Sequence, residues 1–156
     1  MKHKETLKIL VASGVNLDLL GKREPEIYGH QTLDDVHRSL KGLAERFSKD
    51  IQIGIHLECF QTNHEGVLLD KLSEGWDGVL INPGAWTHTS LALADRLAGL
   101  AVPFVEVHIS NISRREAIRK HSHTAPIAVG VTYGFGVQSY HTGLFGLIHH
   151  LQNTKL

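Results

Sequence analysis

The chain has 156 residues, with 16 Lys+Arg against 16 Asp+Glu, a formal net charge of +0 at pH 7, and one cysteine. That length suits a single domain spanning residues 1–156, large enough to bury about two-thirds of its unfolded surface without a disulfide or structural metal. The charge balance lacks the basic footprint of a nucleic-acid binder, the apolar runs are too short for a membrane span, and the lone Cys59 fits a reducing, cytoplasmic setting.

In chain order, Met1 to Thr6 carries charge but no apolar core, so no signal peptide is expected. Leu7 to Val11 predicts a strand, followed by the glycine-punctuated loop Gly14 to Gly29, which gathers Asn16, Arg23 and Tyr28. A tyrosine titrates near pH ~10, so Tyr28 serves as a base at neutral pH only if a cation such as Arg23 favours its phenolate; the bland alternative is a packed ring beside a solvated arginine. Thr32 opens a helix with Leu33, Val36, Leu40, Leu43, Ala44 and Phe47 on one face. Ile51, Ile53, Ile55, Leu57 and Cys59 alternate with polar residues and predict a second strand, with Cys59 as an inert inward thiol. Asn63 is the expected cap of a helix through Leu68, Leu69 and Leu72.

Val79 to Ile81 predicts a buried third strand ending in Asn82-Pro83-Gly84-Ala85, and a helix starting near His88 and Thr89 carries Leu91, Asp95 and Leu97. Pro103 to Ile109 predicts the fourth strand, Ser113 with Glu116 a capping box for a short helix ending around Lys120, Ile127 to Thr132 the fifth strand, and Gly136 to Leu151 the closing helix. Strands alternating with helices favour an α/β three-layer sandwich, a parallel sheet covered on both faces. The economical solution is a flavodoxin-like sheet of five parallel strands in the order 2-1-3-4-5, whose ligands bind beyond the carboxyl ends of the strands.

Polar residues cluster at that rim: Asn16, Arg23 and Tyr28 after the first strand, Asn63, His64 and Glu65 after the second, Asn82 and His88 after the third, His108 and Ser110 after the fourth. Glu106 and His108, two apart on a strand, share a side, so the carboxylate can orient the imidazole as a general acid; a satisfied core histidine is the alternative. Nucleotide signatures fail, because Gly134-Phe135-Gly136 meets Ser139 where a third glycine is required. The twelve histidines show no ligand spacing for a metal.

Five collinear motifs carry a family resemblance: NLDLLGKREPEIYG at Asn16 to Gly29, QTNHEG at Gln61 to Gly66, INPGAWTHTS at Ile81 to Ser90, EVHISN at Glu106 to Asn111, and Arg119 with His121-Ser122. The chain resembles type II 3-dehydroquinate dehydratase. The resemblance implies a lyase of the third shikimate-pathway step, removing water from 3-dehydroquinate in an anti elimination through an enolate, with no cofactor and no metal. It implies Tyr28 as base, Arg23 as its activator, Asn16 facing the enolate oxygen, and His108 oriented by Glu106 as acid. It further implies Asn82, His88 and Arg119 as substrate-binding side chains, the Ile109 and Ser110 amides as carboxylate ligands, and Asp95 reaching a neighbouring subunit within a homododecamer built of trimers. Neither nucleic acid nor membrane is an expected partner. A catalytically weak relative binding a related cyclic polyol acid is the alternative, and a non-enzymatic interaction module is a further rival. The departures from the family pattern are Ser13, Val15, Asp18 and Trp86; Val15 lacks the fixed φ of a proline, and Asp18 brings a negative charge expected to offset Arg23.

Overall fold

The structure is a computed structural model that describes residues 5–22 and 30–154; Arg23 and Tyr28 lie outside the described residues. Five parallel strands, β1 (Thr6–Ser13), β2 (Gly54–Gln61), β3 (Gly78–Asn82), β4 (Phe104–His108) and β5 (Gly130–Tyr133), form one sheet in the order β2-β1-β3-β4-β5. This is the expected order. The helices are α1 (Leu33–Ile51), α2 (Glu65–Leu72), the single turn α3 (Trp86–Thr89), α4 (Leu91–Leu100) and α5 (Gln138–Asn153).

Alternation along β1 divides the core. Leu7, Ile9 and Val11 point to a cluster with Leu40 and Ala44 of α1 and Leu144, Leu147 and Leu151 of α5. Leu10 and Ala12 point the other way, onto Leu68 and Leu72 of α2 and Leu93 and Leu97 of α4. Each crossover helix thus buries one apolar stripe against one face of the sheet, giving three layers. None of the described helices is long and apolar enough to cross a membrane.

Several boundaries differ from the sequence expectation, each for a local reason. Ile51 ends α1 rather than opening β2, because it extends the helical stripe of Leu40, Ala44 and Phe47 and packs on the same cluster; Gln52 then turns the chain with φ 56°. Thr32 does start α1, in a capping box with Asp35: the Thr32 hydroxyl accepts from the Asp35 N–H at 3.2 Å and the Asp35 carboxylate accepts from the Thr32 N–H at 3.0 Å. Asn63 does not cap α2; His64 holds that position without a side-chain bond, and Asn63 turns to the loop after β1. Ser90, not the His88 to Thr89 region, starts α4, accepting from the Leu93 N–H at 2.9 Å.

Ser113 and Glu116 make no capping box. The segment forms two short 3-10 turns, Ile112–Arg114 and Ala117–Arg119, because Asn111 takes the Ser113 N–H at 3.1 Å and Glu116 takes Arg119 Nε at 2.6 Å. Ile127 belongs to a further 3-10 turn containing Pro126, so β5 starts only at Gly130. Cys59 is half-buried, and burial pushes its thiol up to about 11, which suits an unreactive side chain.

The parallel register brings Gln61, Ser13 and Asn82 to one level at the carboxyl ends of β2, β1 and β3. The loops leaving this edge touch backbone to backbone. Gly14 donates its N–H to the Asn82 carbonyl at 2.8 Å, and a Cβ at Gly14 would overlap the Pro83 carbonyl. Gly84, with φ +62°, would drive a Cβ to 2.8 Å from the Val15 carbonyl oxygen.

Gly14→Ala is therefore expected to lower the unfolding free energy by about 1–3 kcal/mol, the usual cost of overpacking. Gly42→Ala, on the exposed side of α1 where a Cβ meets nothing within 4 Å, should raise it by up to about 1 kcal/mol. Urea unfolding of the two variants checks this, and a shift of the same sign in both would remove the loop contact as a constraint.

Candidate active site

A cavity of about 360 Å³ opens at the carboxyl edge of the sheet. One wall is Asn16, Leu17 and Leu19 from the β1 loop, and another is Asn82, Gly84 and His88 from the β3 loop and α3. The remaining wall is His108, Ile109, Ser110, Arg115 and Arg119, which follow from the end of β4. Thus Asn16, Asn82, His88, His108, Ile109, Ser110 and Arg119, singled out from sequence on four different segments, meet around one space.

Glu106 and His108 occupy alternate positions of β4, whose Val105 and Val107 face the α1/α5 layer, so the two polar residues share the opposite side. Glu106 is 0 % exposed and His108 6 %. Nε2 of His108 lies 2.6 Å from Glu106 Oε1. The carboxylate also receives Thr87 Oγ1 at 2.8 Å on Oε1, Ser122 Oγ at 2.9 Å on Oε2 and Thr124 Oγ1 at 2.5 Å on Oε2. Ser122 has its proton committed to this task, since its oxygen already accepts the Ala125 N–H at 2.9 Å and the Thr124 N–H at 3.2 Å.

Burial by itself pushes the Glu106 carboxyl up, but the hydrogen bonds from His108 and Thr124, the His108 charge and the Thr87 hydroxyl outweigh it and leave the group below the ordinary carboxylate range. Glu106 is therefore ionised and acceptor-only. The proton in the 2.6 Å contact sits on Nε2 of His108, which leaves Nδ1 as the ring nitrogen available to the cavity.

His88 is fixed by a different device. Its Nδ1 donates to the His121 carbonyl at 2.6 Å, leaving Nε2 free of that bond, and its ring stacks near His108 at 6.3 Å between centroids. Asn82 is 3 % exposed; its Nδ2 donates to the Tyr140 hydroxyl at 3.0 Å while its Oδ1 accepts from the Gly84 N–H at 3.1 Å. Burial pushes the Tyr140 phenol up to about 12, so it stays neutral. Arg119 Nε is held by Glu116 at 2.6 Å.

A scan of the chain against family models matches residues 7–148 to dehydroquinase class II. The chain belongs to the class II dehydroquinase family. Among curated relatives, a 3-dehydroquinate dehydratase of Geotalea daltonii is 50% identical over 149 residues, covering 94% of this chain and 99% of that protein. One of Acaryochloris marina is 52% identical over 147 residues, covering 92% and 95%. The solved type II dehydroquinase of Butyrivibrio crossotus superposes with a TM-score of 0.81 at 38% identity, covering 94% of this chain and 98% of that one. That of Propionibacterium acnes gives 0.82 at 37% identity, covering 92% and 97%.

Against this class II dehydroquinase background, four further features complete the surroundings of the site. Asp95 is exposed on α4 and is absent from the cavity wall of the single chain. Arg115, in the same wall as Arg119, was not singled out from sequence, although it stands in the same run of basic residues. The hydroxyls of Thr87, Ser122 and Thr124 were not assigned to Glu106 either; two of them lie inside the recurring motifs, and an unpaired acid on a fully buried strand was the signal that donors had to be found. Asp18 accepts from Asn63 Nδ2 at 3.3 Å, while its expected partner Arg23 lies outside the described residues.

Because the Glu106 carboxyl is held below the ordinary value of 4.5, its contribution to stability is present above that pH and is lost as pH falls through the lower folded-state value. Glu106→Gln should accordingly flatten the loss of stability on acidification below about pH 4.5 relative to wild type. Urea midpoints at a series of acidic pH values measure this; parallel acid limbs would mean that the carboxylate is not ionised in the folded protein.

Proposed function

We propose that the chain catalyses the dehydration of 3-dehydroquinate to 3-dehydroshikimate, an anti elimination through an enolate that forms the third step of the shikimate pathway. The observation that carries this reading is the Glu106 and His108 pair, a buried carboxylate fixing an imidazole at the wall of a cavity that Asn16, Asn82, His88 and Arg119 also line. A cavity of about 360 Å³ falls at the small end of ligand clefts, ~300–1,000 Å³. It suits a compact polyol ring.

In this reading Tyr28, as phenolate favoured by Arg23, removes the proton beside the ketone, and the electron pair moves onto the ketone oxygen. Asn16 supports that oxygen through a bound water, a preorganised donor worth most when the charge develops. His108, protonated on both nitrogens, gives its Nδ1 proton to the departing hydroxyl as the double bond forms, so water leaves and Nε2 keeps its bond to Glu106. Asn82, His88 and Arg119 hold the ring substituents, and the Ile109 and Ser110 amides hold the carboxylate. The step draws on side chains, two backbone amides and a bound water, and needs no cofactor. In the same reading Asp95, which is exposed on α4, reaches a neighbour's site in a homododecamer of trimers, and the setting is cytoplasmic.

Incubating the purified protein with 3-dehydroquinate and following the absorbance of the conjugated enone product tests the reaction. Steady growth of that signal is expected, whereas binding without turnover would favour a weak relative. Tyr28→Phe should cut kcat by about 10²-fold or more, the usual contribution of a general base; retention of over about a tenth of wild-type turnover would remove Tyr28 from that role.

Light scattering should give a mass several times the 17.3 kDa of one chain, with activity lost on dissociation. A fully active monomer would eliminate the shared site.

A further inference from the structure

Asn16 has φ 65° and ψ 5°, in the left-handed region where a Cβ crowds the following carbonyl and asparagine is among the few side-chain-bearing residues that settle. A backbone so placed at a functional site persists when its surroundings over-determine it. The restraint reaches over from the end of β2. Asn63 Oδ1 accepts from the Asn16 N–H at 2.7 Å and from Gln61 Nε2 at 3.1 Å, and the same Gln61 nitrogen donates to the Gly14 carbonyl at 3.3 Å.

The orientation of the Asn63 amide has a chemical key. Its Nδ2 donates to Asp18 Oδ1 at 3.3 Å. Reversing the amide would set its nitrogen against two N–H donors and its oxygen against a carboxylate, so the charge of Asp18 selects the rotamer that offers oxygen to Asn16. Asp18 lies in the short 3-10 turn Leu17–Leu19, which Asn16 immediately precedes, and this closes the ring of contacts between the β1 and β2 loops.

We propose that Asn63, keyed by Asp18, is a positioning residue that holds Asn16 in the left-handed geometry from which it serves the reacting centre. This rests on the reading of Asn16 as the residue that supports the enolate oxygen. Asn63 does not line the cavity. It acts by fixing the Asn16 backbone before the charge develops, so its effect belongs to kcat rather than to substrate affinity.

The test exchanges donor and acceptor. Asn63→Asp keeps an oxygen for the Asn16 N–H but sets two carboxylates against each other; adding Asp18→Asn restores one donor and one acceptor with their roles reversed. The single variant should lose about tenfold in kcat, the scale of a modest misplacement, with KM changed less than about threefold. Hydrogen exchange at the Asn16 amide should quicken by about tenfold as the backbone opens. The double variant should recover to within about threefold of wild type in both readouts.

A single variant with wild-type kcat and exchange, a change confined to KM, or a double variant as impaired as the single would overturn the proposal. If the wild-type protein does not convert 3-dehydroquinate at all, the dehydratase reading fails instead, and the exchange rates of the three proteins still decide whether the clamp exists.

Discussion

Burying the Glu106 carboxylate in the middle of β4 removes a charge from water, and such a charge persists only where hydrogen bonds replace its hydration. The surrounding chain is arranged to supply them. Thr87 comes from α3, Ser122 and Thr124 from the segment before β5, and His108 from the same strand two residues on. The need for donors explains why the segment from His121 to Ala125 folds against α3: the His123 N–H donates to the Thr87 carbonyl at 2.9 Å, and His88 is anchored by the His121 carbonyl. One ionised group therefore orients one imidazole directly and a second through the segment that satisfies it.

The sheet supplies the other half of the geometry. Parallel strands of matched register end at one edge, and the loops leaving them are forced together where glycine permits backbone contact at Gly14 and Gly84. That approach is what brings Asn16 and Asn82, from loops far apart in sequence, to the wall of the same cavity. The chain matches the class II dehydroquinase family from residue 7 to residue 148, and the cavity wall draws on residues between Val15 and Arg119.

Much of this was legible in the sequence because it depends on periodicity and parity. The alternation of Ile55, Leu57 and Cys59 along β2, the strand-helix order and the shared side of Glu106 and His108 follow from side-chain spacing alone. What escaped depended on choices between equally good local patterns. Ile51 fits both a strand alternation and a helical stripe, and burial on the α1 cluster decided for the helix. Ser113 and Glu116 have the spacing of a capping box, but Asn111 and Arg119 claimed their groups. Asn63 has the chemistry of a helix cap, yet its stronger partner was the Asn16 amide, forty-seven residues away. The hydroxyl cage of Glu106 joins three segments that no local rule connects.

The central claim is that an ionised Glu106 fixes the tautomer of His108 and so directs Nδ1 to the cavity. Nitrogen-15 NMR of the histidine rings tests it directly, with His108 assigned by comparison with a His108→Asn variant, at a pH where the ring is neutral. The account predicts protonated Nε2 and unprotonated Nδ1, with that preference weakened in Glu106→Gln. A neutral His108 carrying its proton on Nδ1 in the wild-type protein would contradict it.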